Sequence, residues 1–343
     1  MRSLLRMTLL GACLSLPGCV ERLVEPADVF GDIHQGETYS SASQMIDDWY
    51  AVEAIDAQTF AINEPRSSQY NTSYLIIGET RAIMFDAGSG ERPPRSQSMR
   101  DVAERYTSKP ITLILSHFHY DHIHDAASFD DVILIDRPEI RSGVTDRSYQ
   151  ITRWESLETE RILKNIHLVA DGEVIDLGGR RLTVLNLPGH TTESIVLFDT
   201  ERNQVFAGDF VYRHLGGIIA FAPGADLTAY KQSSVRLLQL TTAGTQFFGA
   251  HGIPQFWRDW LILLNDGLQK MVTGEATYRY ATHYLAPGLP WRVLQNGDLY
   301  IYTTPLVDPS HFWSKWTLLL SIILSLFVLI ALILRICDRH QPT

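Results

Sequence analysis

Residues 116–125 read SHFHYDHIHD and place four histidines and two aspartates within ten positions. They follow the apolar run 111–115, which predicts a strand buried on both faces. In open α/β sheets, the residues just beyond the carboxyl end of a strand form the functional site. Imidazole and carboxylate are ligands that zinc, iron and manganese accept. A solvated polar turn is the alternative, but the position of the cluster favours a metal-binding loop.

The side chains of this loop can provide ligands for two neighbouring metal positions. In an irregular segment, His117 and His119 can point one way while Asp121 and His122 turn toward a second point a few ångströms away. One loop cannot complete two metal sites. Further ligands are therefore expected at the ends of later strands.

Three later polar residues each close an apolar run and lie beside a glycine. They are His190 in LNLPGH, Asp209 in VFAGDF and His251 in FFGAHG. A neighbouring glycine leaves room for the backbone to approach a buried ion. Each of the three alone is more typical of a turn. Their occurrence together, in this order after the histidine loop, predicts that they complete the site.

The spacing H-x-H-x-D-H at 117–122 resembles the metallo-β-lactamase superfamily at every defined position. The series of motifs from Thr59 to about Gly252 is similar to that of the superfamily. The resemblance implies two divalent metal ions, most readily zinc, with iron or manganese as alternatives, and a metal-bridging hydroxide as the nucleophile. It implies His117, His119 and His190 as ligands of the first ion, Asp121, His122 and His251 as ligands of the second, and Asp209 as the bridge between them.

The same resemblance implies roles for individual residues around the metals. Asp121 could also take the proton left on the attacking oxygen, and Asp86 resembles the superfamily's buried aspartate that orients the ligands. Tyr212 resembles the acyl-homoserine lactonase branch, in which a tyrosine hydroxyl helps to hold the substrate carbonyl; a packing aromatic is the alternative. Asp121 and Tyr212 are therefore the candidate catalytic residues. His124 and Asp125 lie at positions that the motif leaves open and are expected at the surface.

Charge and cysteine content limit the partners and the ligands. The 343-residue chain has a formal net charge of −10 and shows no basic stripe, which argues against a nucleic-acid partner and leaves a small-molecule substrate. Its three cysteines, Cys13, Cys19 and Cys337, lie in the terminal segments. The body contains no thiol, so a metal site there must be built from nitrogen and oxygen.

The beginning of the chain predicts export. Residues 1–19 combine Arg2 and Arg6 with an apolar run, as an export signal does. The sequence from Leu16 to Cys19 resembles a bacterial lipobox, although the proline at its second position departs from the lipobox pattern. Lipidation of Cys19, ordinary cleavage and an uncleaved anchor all stay open, and all three export the body.

The far end predicts a membrane anchor. The run from Thr317 to Leu334 contains 18 residues without a charge, and a helix of that length spans about 27 Å, close to the hydrocarbon thickness of a bilayer. A buried core helix is the alternative. Arg335 and Arg339 follow the run and predict a cytoplasmic tail, with the body in the periplasm at a bacterial inner membrane. The expected order is a signal at 1–19, a linker at 20–40, a catalytic domain at 41–305, a transmembrane helix at 316–336 and a tail at 337–343.

The body reads as runs of strands followed by helices in two similar halves, which predicts a layered α/β fold. A short helix is expected within 41–50, and longer helices over 226–241 and 255–272. A β-hairpin is expected to turn at Asn296 and Gly297. The resemblance to the superfamily implies a four-layer αβ/βα sandwich.

The leading functional prediction is a dinuclear metal-dependent hydrolase that cleaves an ester, a lactone or a related carbonyl compound. A β-lactamase is an alternative, but Asp209 argues against it, because β-lactamases of the superfamily usually lack an aspartate at the bridging position. A thioesterase similar to glyoxalase II has the same ligands, but its glutathione thioester is cytosolic. The alternative from another functional class is a membrane-tethered binding protein without catalysis. Such a protein is expected to have lost one or more metal ligands, and all seven candidate ligands are present. A redox enzyme with an added flavodoxin domain is disfavoured because no glycine-rich flavin loop is visible.

Overall fold

The computed structural model describes residues 40–158, 160–214, 217–222, 224–283 and 286–304, and the single residues 38, 307 and 323. The expected export signal, nearly all of the expected linker, the membrane segment apart from Ile323 and the tail lie outside these residues. Across the described ranges, no helix is both long enough and apolar enough to span a bilayer.

The first sheet carries eight strands. In chain order they are β1 (Gln44–Met45), β2 (Ala51–Asp56), β3 (Thr59–Glu64), β4 (Asn71–Ile77), β5 (Ala82–Phe85), β6 (Ile111–Ile114), β7 (Val132–Ile135) and β10 (Ile166–Val169), and this is also their order in the sheet. Neighbours from β1 to β5 are antiparallel. From β5 onward the pairs are parallel, so the carboxyl ends of β5 and β6 meet at one edge.

A second sheet of six strands packs against the first. Its strands, in sheet order, are β11 (Val174–Asp176), β12 (Arg181–Asn186), β13 (Ile195–Asp199), β14 (Gln204–Gly208), β16 (Gln246–Gly249) and β17 (Gln255–Trp257). Two smaller sheets complete the strands. One pairs β8 (Tyr149–Ile151) with β9 (Arg161–Leu163), and the other has the order β15 (Ile218–Ile219), β20 (Leu299–Thr303), β19 (Ala286–Asn296), β18 (Arg279–His283).

Six α-helices lie within the described residues. They are α1 (Met99–Ala103), α2 (Tyr120–Ile123), α3 (Pro138–Gly143), α4 (Arg153–Ser156), α5 (Leu227–Leu240) and α6 (Asp259–Thr273), with a 3-10 turn at Ala126–Ser128. Local sequence sets their ends. Asp226 caps α5 by accepting a hydrogen bond from the backbone N–H of Ala229 at 2.9 Å, and Gly274 ends α6 in a left-handed conformation, with φ of 79°.

Alternation along the strands of the second sheet produces the layers. In β13, Ile195 and Leu197 belong to the hydrophobic cluster shared with the first sheet, whereas Val196 and Phe198 belong to the cluster shared with α5 and α6. Successive side chains of a strand point to opposite faces, so a strand that is apolar on both faces must be covered on both sides. The predicted α/β sandwich is confirmed.

Two local expectations were wrong. Residues 41–50 form no helix, because the Asp47 carboxylate accepts hydrogen bonds from the backbone N–H groups of Trp49 and Tyr50 and turns the chain between β1 and β2. The helix expected from residue 255 begins at Asp259, because residues 255–257 pair with β16 as an edge strand. The expected hairpin is confirmed, with β19 and β20 paired from Asn296 and Leu299 onward.

Arg180 joins the two sheets through a buried network. Its side chain is 1% exposed, and its Nε donates to Asp199 Oδ2 at 2.8 Å in the second sheet. Its Nη1 donates to the Gln58 carbonyl at 3.0 Å and to Thr59 Oγ1 at 2.9 Å in the first. Burying a guanidinium is costly unless every donor finds a partner, and here the partners come from both layers.

We expect Arg180→Ala to destabilise the protein by about 3–5 kcal/mol, because it removes the 2.8 Å ion pair of the fully buried Asp199 and leaves only Arg202, 3.9 Å away. Urea unfolding of the full-length chain measures this loss. The neighbouring Arg181→Ala is the matched control, since Arg181 is 63% exposed and pairs with Glu201 on the surface. Little change is expected there. Equal midpoints for the two variants would contradict the role given to Arg180.

Candidate metal centre

The histidine loop turns from extended backbone into a helix within three residues. His119 is the N-cap of α2 in extended conformation, with φ of −63° and ψ of 149°, and Asp121 and His122 lie in the first turn. His117 and His119 therefore project before the helix starts, and Asp121 and His122 project from it. This change of backbone direction is how one short segment serves two neighbouring points.

The structure brings all seven predicted ligands together. They form three overlapping groups in which the candidate ligand atoms lie within 4.8 Å of one another, and every side chain is buried. The groups are His117, His119 and His190; His117, His122 and Asp209; and Asp121, His122 and His251. Asp209 also lies 3.0 Å from His251 and 3.5 Å from His190, so its two carboxylate oxygens face both ends of the cluster.

The first group holds three ring nitrogens at hydrogen-bonding distance. His119 Nδ1 lies 2.9 Å from His117 Nε2 and 3.0 Å from His190 Nε2. Burial and the neighbouring histidines lower the pKa of His117 and His119 well below the ordinary value. Burial lowers the pKa of His190 as well, so the neutral form, in which histidine binds a metal ion, is favoured in all three rings.

The other half of the cluster, where His122, His251 and Asp209 meet, holds acceptor atoms that face each other. His122 donates from Nδ1 to Asp86 Oδ2 at 2.9 Å, and His251 from Nδ1 to the Gln69 carbonyl at 3.2 Å, so that in the neutral ring each Nε2 is a bare acceptor. These nitrogens lie 3.3 and 3.0 Å from Asp209 Oδ1. All three atoms are buried without a hydrogen-bond partner. A cation at this point would satisfy them, so the residues fit a metal site.

The electrostatics of this half of the cluster lead to the same conclusion. Burial would lower the pKa of His122 and His251, but the Asp209 and Asp121 carboxylates raise it above the ordinary value. Burial would raise the pKa of Asp209, but His251 and His122 hold it well below its usual range. The cluster therefore favours added positive charge, which divalent ions would supply.

A model of the metallo-beta-lactamase superfamily matches residues 69–251, more than half of the chain, and that range contains all seven candidate ligands. The chain belongs to the metallo-β-lactamase superfamily. It is a metallo-hydrolase of this fold with a binding site built from histidine and aspartate. The resemblance seen in the histidine loop is thereby confirmed.

Curated relatives in this superfamily include acyl-coenzyme A thioesterases. The chain is 28% identical over 218 residues to acyl-coenzyme A thioesterase MBLAC2 of Gallus gallus, which covers 57% of this chain and 78% of that protein. The Homo sapiens protein of the same name is 27% identical over 221 residues, with the same coverage. Among solved structures, a metallo-beta-lactamase from Pontibacter korlensis superposes with a TM-score of 0.50 at 17% identity, covering 64% of this chain and 99% of that one. This structural likeness supports the fold alone.

Asp86 holds the histidine loop from below, as expected. Its carboxylate accepts hydrogen bonds from Ser116 N at 2.7 Å and Ser116 Oγ at 2.8 Å, and from His122. Ser116 Oγ also lies 2.9 Å from His117 Nδ1. The single carboxylate at the end of β5 thus orients one histidine directly and a second through Ser116. Its φ of 70° is a left-handed conformation that aspartate and asparagine tolerate better than most residues.

The sequence did not single out Gln69 and Asn71, which fix Asp121. Gln69 Nε2 donates to Asp121 Oδ2 at 2.9 Å, and Asn71 Nδ2 donates to the same oxygen at 3.2 Å and to the Asp121 carbonyl at 3.0 Å. Both lie where the chain enters β4, at the same edge of the sheet as the histidine loop. The polar run before an otherwise apolar strand was the available signal.

The surface positions expected for residues beside the ligands were partly wrong. Asp125 is buried, pairs with Arg92 at 2.9 Å and accepts a hydrogen bond from Met99 N at 2.7 Å, so it anchors the back of the loop to α1. His124 is half-buried, with Nδ1 2.9 Å from Arg161. His214, to which no site role was given, lies close to His251, and burial together with that histidine lowers its pKa to about 3.

We expect Asp86→Asn to weaken metal retention by roughly 10- to 100-fold, because an amide cannot accept from Ser116 and His122 with both of its atoms. Asparagine keeps the left-handed backbone, so the loss isolates the hydrogen bonds. Competition with a chelator on the full-length chain measures it. Asp125→Asn is the matched control, a buried carboxylate behind the same loop that contacts none of the candidate ligands. Asp125→Asn should lower the melting temperature and leave metal retention unchanged. Weakened metal retention in Asp125→Asn but not in Asp86→Asn would contradict the role of Asp86 in orienting the ligands.

Proposed function

We propose that the seven-residue cluster binds two divalent metal ions, most readily zinc, and catalyses hydrolysis of an activated acyl carbonyl. The observation that carries the proposal is the set of buried acceptors on His122, His251 and Asp209, which face each other without hydrogen-bond partners. His117, His119 and His190 supply a second set of neutral nitrogens beside it. Nitrogen and oxygen donors of this kind suit zinc, with iron or manganese as alternatives.

Ions bound there would supply a water molecule with a lowered pKa and would polarise the substrate carbonyl. Asp121 is the proposed proton acceptor, because its Oδ2 lies 3.6 Å from both His122 and His251 and is held there by Gln69 and Asn71. A carboxylate fixed by two amide donors stays oriented toward the reacting atoms. Such fixed geometry is what general-base catalysis requires.

Tyr212 is the proposed donor to the substrate carbonyl. Its ring packs edge-on against His251 with centroids 4.9 Å apart, and its hydroxyl oxygen accepts a hydrogen bond from Ile219 N at 3.0 Å. Burial and the nearby Asp209 raise its pKa well above the ordinary value, so the phenol keeps its proton. The hydroxyl can therefore accept from Ile219 and still donate toward developing charge on the substrate.

Acyl thioesters are the first substrate class to which the proposal points, because two curated relatives are named acyl-coenzyme A thioesterases. Lactones are the second candidate, favoured by the placement of Tyr212 beside His251. Both reactions cleave the bond between the acyl carbon and a heteroatom. They differ in whether that atom leaves as a thiolate or as an alkoxide. β-Lactams are disfavoured because Asp209 occupies the position between the two halves of the cluster.

We expect the full-length chain, loaded with zinc, to hydrolyse acyl thioesters in a panel that also contains lactones and β-lactams. Tyr212→Phe should lower kcat by about 100- to 1000-fold with a small change in KM, since the donor acts mainly in the transition state. Metal content should stay at the parental value in this variant and fall in Asp209→Ala. Parental turnover by the phenylalanine variant would exclude Tyr212 from the reaction. Hydrolysis of lactones alone would favour the second candidate.

We also propose that the chain is exported and anchored by its C-terminal segment, with the catalytic domain in the periplasm of a bacterium. The basis is the sequence: an apolar leader after Arg2 and Arg6, and an uncharged run of 18 residues followed by Arg335 and Arg339. Lipidation of Cys19 would add a second anchor. In this compartment the substrate would be a compound that reaches or is formed in the periplasm.

The topology can be tested with protease added to spheroplasts of a bacterial host. Digestion of the catalytic domain is expected, because export and the C-terminal arginines both place it outside the cytoplasm. A cytoplasmic marker protein controls for lysis. Protection of the domain in intact spheroplasts would reverse the proposed orientation and would place the enzyme beside cytosolic thioesters.

A further inference from the structure

The hairpin formed by β19 and β20 lies beyond residues 69–251, the part of the chain that matches the superfamily. It nevertheless reaches the metal centre through one short strand. β15 pairs in parallel with β20, with Ile218 opposite Ile301 and Ile219 opposite Tyr302. Ala220 continues this pairing by donating from its backbone N–H to the Tyr302 carbonyl at 2.8 Å.

The opposite edge of β15 contacts the candidate site. The Ile219 carbonyl accepts a hydrogen bond from His190 Nδ1 at 2.8 Å, and the Ile219 N–H donates to Tyr212 at 3.0 Å. In a strand, the N–H and C=O of one residue point to the same side, and those of the next residue point to the other side. β15 therefore acts as a spacer, with Ala220 bonded to β20 and Ile219 bonded to the site.

We propose that the C-terminal hairpin is a positioning element of the metal centre, which fixes β15 so that the Ile219 carbonyl sets the orientation and tautomer of His190. The inference rests on the proposed role of His190 as a metal ligand. A donor bond from Nδ1 leaves Nε2 bare, and this nitrogen is the one that lies 3.0 Å from His119. Partners that orient a ligating histidine typically contribute 10- to 100-fold to metal affinity.

Gly217 is the point at which the spacer can be displaced. It directly precedes β15 with φ of 76°, and a Cβ atom there would lie 2.5 Å from the Tyr300 carbonyl oxygen and 2.7 Å from Tyr300 Cβ. Tyr300 belongs to β20, so the contact is with the backbone of the hairpin. Alanine at this position would therefore push β15 away from β20, and Ile219 would move with it.

Gly172 provides a matched control for Gly217→Ala. It also has a left-handed conformation, with φ of 81°, but a Cβ atom there meets nothing within 4 Å. Gly172→Ala thus carries the same kind of backbone penalty in the turn before β11, without a clash. Any difference in metal binding between the two variants reports the contact with β20.

The test measures metal binding by the full-length chain, with elemental analysis and chelator competition using zinc alone. Gly217→Ala should weaken one of the two bound equivalents by roughly 10- to 100-fold, while Gly172→Ala binds as the parent does. The circular dichroism spectra of the two variants should match. Parental affinity for both equivalents in Gly217→Ala would overturn the inference.

A double-mutant cycle shows whether the effect passes through His190. If Gly217→Ala acts by misplacing this ring, it should weaken metal binding no further in a His190→Ala background. Additive losses would overturn the inference, because the glycine would then act elsewhere. Failure of the unaltered chain to bind zinc would instead reject the proposed function, and the inference with it.

Thr303 supplies a gentler change if Gly217→Ala does not fold. Its hydroxyl donates to the Ala220 carbonyl at 3.2 Å from a fully buried position on β20. Thr303→Val should weaken the same metal equivalent by roughly three- to tenfold, and Thr303→Ser, which keeps the hydroxyl, should restore it. Equal metal affinity in the valine and serine variants would overturn the inference independently of Gly217.

Discussion

Three acceptor atoms face each other in the interior of this protein: Nε2 of His122, Nε2 of His251 and Oδ1 of Asp209. Such an arrangement repels itself unless protons or a cation lie between the atoms. The surrounding structure is organised to maintain it. Asp86 and the Gln69 carbonyl hold the outer nitrogens of the two histidines, and Asp209 is buried where its oxygens face both halves of the cluster. The affinity for positive charge follows from this enforced proximity.

The packing of the two sheets holds these atoms close together, because the residues of the cluster come from both sheets. Asp86 and the histidine loop follow β5 and β6 in the first sheet, whereas His190, Asp209 and His251 follow β12, β14 and β16 in the second. The site therefore forms only while the two sheets keep their packed positions relative to each other. Arg180 helps to fix these positions through a buried network with hydrogen-bond partners in both layers. Stability and the geometry of the candidate site thus depend on the same interface.

The C-terminal hairpin of β19 and β20 adds a third contribution, which reaches the site through β15. The hairpin of β19 and β20 packs on α6, where a Cβ on Gly267 would lie 2.6 Å from Ile301. Its strand β20 pairs in parallel with β15, and β15 supplies the backbone carbonyl that accepts a hydrogen bond from His190. A change in the packing of this C-terminal hairpin can consequently reach His190, a candidate metal ligand, through the hydrogen bonds on the two edges of β15. The hairpin lies after residue 251, where the superfamily match ends, and these hydrogen bonds link it to the candidate site.

The sequence by itself determined the residues of the cluster and the class of fold. A dense histidine and aspartate loop after an apolar strand, with three more polar residues each closing an apolar run, left few other interpretations. Short apolar runs separated by turn residues likewise predicted the strands, since both signals are local in the sequence. What the tertiary structure decided was everything that depends on segments distant in the chain. The support of Asp121 by Gln69 and Asn71, the burial of Asp125 against Arg92 and the hold of Ile219 on His190 all join residues from different segments. Their partners are chosen by how the layers pack, and single-sequence patterns do not encode that packing.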